Sequence, residues 1–169
     1  MRQPGIQTPS RRILEFLTKF LCAWVLALAV IAAIPAVERW TLQATMTSLS
    51  VLAHLLRTDY VATGPYVTLA GSTLEMVSDC TSLMPTLAFW CAILAFPAPW
   101  PWKAIGMLSG ALILWTYNLA RVVALALIIR SHPGWFEFVH AYLWQTITMG
   151  VVLLTFIGWI RTRMRYAPA

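Results

Sequence analysis

Four apolar stretches, at residues 13–37, 80–96, 104–129 and 135–160, decide what this chain can fold into. A helix needs about 20 mostly apolar residues to cross the hydrocarbon core of a bilayer. Three of the stretches reach that length, and the second, near Thr81–Phe96, is short. The composition agrees: 60% of residues are hydrophobic and only 11% charged, whereas a soluble domain carries about 25% charged residues. So little charge cannot cover a water-facing surface. The expected fold class is an all-α polytopic membrane protein, a single membrane-embedded domain of about four transmembrane helices.

The net charge of +6 is placed for a membrane rather than for nucleic acid. Arg2, Arg11, Arg12 and Lys19 gather near the first stretch, and Arg161, Arg163 and Arg165 follow the last one. With Lys103 these fall on one side of the bilayer, and Arg39, Arg57 and Arg130 fall on the other. The positive-inside rule then puts both termini, residues 1–12 and 161–169, in the cytoplasm of a plasma membrane. No aromatic-interleaved basic stripe or nucleic-acid motif appears. The N-terminus resembles a signal peptide in outline, but no small-residue cleavage site precedes a soluble domain, so a retained first span is expected. Within it Glu15 can pair with Lys19 one turn on.

Residues 38–79 are expected to form an extracytoplasmic cap. Over 41–57, Leu42, Met46, Leu49, Leu52, Leu55 and Leu56 recur at helical spacing, with Thr41, Thr45, Ser48, His54 and Arg57 on the other face. That pattern predicts an amphipathic helix lying on the membrane surface. Over 60–77, short β-rich runs alternate with the turn pairs Gly64-Pro65 and Gly71-Ser72, predicting a small β-meander. Such a cap would admit an extended peptide by strand addition.

Charged and polar residues inside membrane spans are costly and point to function. Three stand out: Cys80 at the mouth of the second span, Arg121 in the third and His140 in the fourth. Arg121 lies about 13 Å along the helix from Arg130, and His140 one to two turns from the outer loop, so all three belong to the outer half of the membrane. Each alone has an ordinary explanation in packing or pairing; three at one depth describe a site. Cys22 and Cys91 sit in apolar runs as small hydrophobes. Cys80 and Cys91 on one helix would be about 16 Å apart, beyond disulfide reach.

The chemistry of the trio is coherent. A thiol becomes a strong nucleophile as thiolate, which a nearby cation or a helix N-terminus favours. Histidine can take the thiol proton and return it to a leaving amine. Arginine stays charged and can hold an oxyanion. Asn118 shares the face of Arg121 and can orient it or bind substrate backbone. Asp79 can tune Cys80 or cap the helix, and Glu137 can orient His140. His132 is the rival base, in a Pro-Gly turn.

The order Cys80, then Asn118-Leu119-Ala120-Arg121, then His140, preceded by a β-like, Gly-containing segment, resembles the exosortase/archaeosortase family over residues 60–145. The resemblance implies a cysteine peptidase or transpeptidase without cofactor. Its partners would be membrane proteins bearing a C-terminal motif, a transmembrane helix and a basic tail. Cys80 would be the nucleophile, with Arg121 and His140 as its partners. Ser82 stands where the family commonly has glycine, and four spans replace the eight of many members. The chain therefore resembles a short, core-only variant of the exosortase H kind.

Two other classes compete. A metal-handling membrane protein would use Cys80, His132, His140, Asp79 and Glu137 as ligands, although no paired Cys or His spacing appears and Arg121 would repel a cation. A non-catalytic subunit of a membrane assembly complex would use the same polar groups for helix contacts. The oligomeric state is left open.

Overall fold

The structure, a computed structural model, describes residues 9–166. The tail residues 1–8 and 167–169, with Arg2, lie outside the described residues. The order of elements is α1 (Pro9–Ala33), α2 (Pro35–Leu55), β1 (Tyr60–Thr63), β2 (Tyr66–Leu69), β3 (Ser72–Glu75), a 3-10 turn (Ser78–Cys80), α3 (Leu83–Ala95) and α4 (Trp100–Ser131). A second 3-10 turn (Pro133–Trp135), α5 (Phe136–Phe138), a π-helical turn (Val139–Leu143) and α6 (Trp144–Tyr166) complete the chain.

Three helical segments are long and apolar enough to cross a membrane: Ser10–Ala33, Trp100–Ser131 and Pro133–Arg163. The second expected span, 80–96, corresponds to α3, an apolar helix of 13 residues, about 20 Å long. Cys80 and Thr81 are not helical there, because the chain enters through the 3-10 turn. The first span ends at Ala33 rather than 37. Pro35 disfavours helical geometry at Ile34, which adopts φ −126° and ψ 74°, and Pro35 itself starts α2. A proline at the first helical position has no N–H to lose. The amphipathic helix therefore begins six residues before the expected 41. The pairing expected within α1 also differs, since Glu15 meets Arg11 at 3.5 Å rather than Lys19.

The meander expected over 60–77 is present as an antiparallel sheet in the order β1-β2-β3. Tyr60 to Thr63 pair with Leu69 to Tyr66, and Tyr66 to Leu69 pair with Glu75 to Ser72. Each hairpin has a two-residue loop. Gly64 at φ 60° precedes Pro65 in the first, and Ala70 at φ 52° precedes Gly71 at φ 81° in the second. Positive φ at the first loop residue gives the backbone twist that tight hairpins require.

The apolar face of α2 packs on this sheet. Leu49 and Ala53 join Val67, Leu69, Leu74 and Met76 in one buried cluster, closed by Val122 and Ala126 of α4. Leu55 and Leu56, expected on the same face, are exposed. The Tyr60 hydroxyl donates to the Met46 carbonyl at 3.0 Å, and burial pushes its phenol pKa up. Arg130 donates to the Ala70 carbonyl at 3.4 Å. The cap is thus fastened to the upper part of α4, a helix about 48 Å long that exceeds the roughly 30 Å hydrocarbon core.

The other end is held by a second cluster of Phe89 and Ile93 from α3, Leu114 from α4 and Trp159 from α6. Glycine makes the close approach possible. A Cβ at Gly110 would overlap the Phe89 ring, and one at Gly106 would overlap the Trp159 indole. Small residues four apart let transmembrane helices approach closely. The indole of Trp159 donates to the Trp102 carbonyl at 3.1 Å, and Lys103 donates to the Leu94 carbonyl at 2.7 Å.

Candidate functional site

The 3-10 turn Ser78–Cys80 lies where cap and helices meet, and each of its residues is held by a neighbouring helix. The Ser78 hydroxyl donates to the Glu38 carboxylate of α2 at 3.4 Å. Arg121 of α4 donates to the Asp79 carbonyl at 3.3 Å. Asn118, one turn away on the same helix, donates to the Cys80 carbonyl at 2.8 Å. Inside the turn, the Thr81 hydroxyl donates to the Ser78 carbonyl at 2.7 Å. Thr81, Ser82 and Asn118 are all buried. A hydrogen bond contributes about 0.5–1.5 kcal/mol, and together these bonds fix the backbone around the sulfur.

The sulfur itself is half-buried and lies 3.8 Å from the Glu75 carbonyl oxygen. It faces a cavity of about 240 Å³, lined by residues 73–77 of the sheet and its exit, by Val122, Leu125 and Ile129 of α4, and by Phe136 and His140. Cys80 and His140, sixty residues apart in sequence, therefore share one hollow. The other two cysteines, Cys22 and Cys91, are free and lie elsewhere.

His140 sits in the π-helical turn Val139–Leu143. Such turns widen a helix locally and recur at functional sites. Its ring stacks on Phe136 at 5.3 Å between centroids and 16° between planes. Its buried Nδ1 has no hydrogen-bond partner among the described residues, nor does the buried Nε of Arg121. Stacking, rather than a carboxylate, holds the imidazole. The orienting role expected of Glu137 is not seen: that side chain is exposed and outside the cavity lining. His132, the rival base, is exposed and lines a separate hollow with Ile128, Trp135 and Val139.

Asp79 also differs from expectation. Neither the 3-10 turn nor α3 has a side-chain cap, and the residue contributes its main-chain carbonyl to Arg121. Ser82 at the expected glycine position has φ −86° and ψ 10°, the turn conformation that most L-residues adopt and that needs no glycine. Serine therefore introduces no backbone strain there. The bond between Ser78 and Glu38 depends on α2 starting early, at Pro35.

Among the described residues no three of His, Cys, Asp and Glu converge as metal ligands. Comparison with known proteins returns no matching family model, no matching curated protein and no matching solved structure.

Proposed function

We propose that this protein is a membrane-embedded cysteine peptidase or transpeptidase of the exosortase/archaeosortase type. It cleaves the C-terminal sorting signal of membrane-anchored proteins on the extracytoplasmic side, through a thioester. The observation that carries the reading is the shared cavity of Cys80 and His140, with the backbone on the nucleophile's side clamped by Asn118 and Arg121.

In this reading His140 removes the thiol proton as the Cys80 sulfur attacks the scissile carbonyl carbon. The tetrahedral oxyanion collapses, the C–N bond breaks, and His140 returns the proton to the leaving amine. The acyl group remains on sulfur until water or an amine resolves the thioester. Arg121 holds the Asp79 carbonyl from outside the cavity lining; its charge does not titrate and suits the developing oxyanion once substrate is bound. The cap and the cavity lie on the extracytoplasmic side when the basic ends of α1 and α6 and Lys103 face the cytoplasm.

The test is C-terminal peptide mass spectrometry of membrane and secreted proteins in native cells carrying wild type or Cys80→Ala. A set of proteins that keep a hydrophobic, basic-tailed C-terminus only in the mutant is expected. Unchanged C-termini with the mutant present at normal levels would refute the assignment.

A further inference from the structure

The β3 strand borders the cavity, and the register of the sheet says which of its backbone groups face it. In an antiparallel pair, alternate residues exchange both hydrogen bonds with the partner strand, and those between direct their N–H and C=O to the opposite edge. The two-residue loop makes Leu69 and Ser72 a bonded pair; Val67 and Leu74 are the next, two residues along. The Met76 N–H donating to the Pro65 carbonyl at 2.7 Å continues the same phase. Ser72, Leu74 and Met76 thus face β2. Thr73 and Glu75 direct their backbone groups to the free edge of β3, and both line the cavity.

That edge is next to the sulfur. The Glu75 carbonyl, directed outward by the register, is the group 3.8 Å from Cys80 Sγ. Across the cavity stand Val122, Leu125, Ile129 and Phe136, which are apolar. A strand edge with no neighbouring strand is a template for another extended chain; here, among the described residues, the Glu75 carbonyl accepts only from the Cys80 thiol.

We infer that β3 is the substrate-docking strand: an extended segment with apolar side chains adds to the edge through the backbone of Thr73 and Glu75, which carries its scissile carbonyl to Cys80. This rests on Cys80 being the nucleophile. It assigns recognition to the main chain along β3, with side-chain preference set by the apolar wall of α4 and α5. The far edge, on β1, presents Tyr60 and Ala62 by the same alternation and lies outside the cavity lining.

The experiment alkylates the full-length protein in nanodiscs with two kinds of probe and maps the label on Cys80 by mass spectrometry. Iodoacetamide reports the reactivity of the thiol alone. The peptide probe is acetyl-Ala-Val-Ala chloromethyl ketone, whose methylene carbon bonds to sulfur as chloride leaves. A series of it carries an N-methyl group on each amide in turn. Strand addition predicts that the peptide labels Cys80 faster than iodoacetamide does. Methylation should slow the peptide about tenfold at alternate amides only, since each lost backbone bond is of that order.

Thr73→Pro, which removes an edge N–H without touching the ladder to β2, should slow the peptide similarly. Iodoacetamide labelling should stay unchanged, and Ala62→Pro should alter neither probe. Equal sensitivity at every amide, or none, would overturn the docking assignment, and because the protein is unaltered in that series, misfolding cannot explain it. Iodoacetamide labelling of Cys80 no faster than that of free glutathione in the same buffer would instead count against Cys80 as the nucleophile, leaving a different pattern of failure.

Discussion

Asn118 donates a 2.8 Å hydrogen bond to the carbonyl oxygen of Cys80, so a buried amide in α4 sets the backbone of a residue thirty-eight positions earlier. Replacing Asn118 with leucine leaves that carbonyl without its donor, at about 1–3 kcal/mol. The expected outcome is a lower thermal midpoint in detergent and at least a tenfold loss of substrate processing. Asn118→Asp should be as harmful, because an ionised carboxylate cannot donate. Thermal unfolding and processing measured together check both substitutions.

Arg121 reaches the Asp79 carbonyl at 3.3 Å while its Nε stays buried without a partner among the described residues. Lysine keeps the charge but not the planar fork of donors. Arg121→Lys is expected to retain partial processing, and Arg121→Gln to lose about 10²-fold or more, the cost of one oxyanion donor. Equal activity of the two variants would show that charge has no part in the reaction.

Much of the architecture was legible in the sequence because apolar run length and β-rich runs between turn pairs report directly on local structure. The meander at residues 60–77 and the long helices at Trp100–Ser131 and Pro133–Arg163 follow from such patterns. Other features depend on contacts that no local pattern encodes. The face of α2 was readable as apolar, but not that it packs on the sheet and on α4. The sequence brought Cys80, Arg121 and His140 to one depth, yet the bonds from Asn118 and Arg121 go to main-chain carbonyls, which side-chain identity does not reveal. The stacking of Phe136 on His140 needed the π-helical turn, and an α-helical reading had offered Glu137 in its place. Gly106 and Gly110 carried a legible signal in their four-residue spacing, a signal of close helix packing.

Ala70 occupies φ 52° in the loop between β2 and β3. The left-handed region costs a residue with a Cβ about 1–2 kcal/mol. Ala70→Gly relieves that strain but adds unfolded-state freedom, and Ala70→Asn relieves part of it while keeping a side chain. Asparagine is expected to stabilise the cap by about 0.5–1 kcal/mol, read as greater protection of the β2 and β3 amides in hydrogen exchange. No gain in protection would show that the turn is not strained.

Gly110 packs against Phe89 so closely that a Cβ would overlap the ring. Gly110→Ala therefore forces α3 away from α4, at about 1–3 kcal/mol for overpacking. Because α3 follows directly from the turn that carries Cys80, the displacement should also reduce processing. Gly134, with open space around it, is the control: Gly134→Ala should leave both thermal midpoint and processing near wild type.

His140 shares the cavity with Cys80 and is held by stacking on Phe136. General acid–base groups typically contribute 10²–10⁴-fold, so His140→Ala should lower processing by about that factor. The substitution also enlarges an existing hollow of about 240 Å³ beside the sulfur, which gives free imidazole a place to bind. Added imidazole should restore part of the activity of His140→Ala and none of that of Cys80→Ala. Phe136→Leu keeps an apolar wall but removes the stacking surface. It should cost less than loss of the imidazole, and added imidazole should not rescue it, because the ring is present but poorly held. Rescue of His140→Ala separates proton transfer from packing, since a purely structural histidine would be replaced by a well-packed apolar side chain and not by a diffusible base. Full activity in His140→Ala would remove the residue from the reaction and return His132 as the base to test.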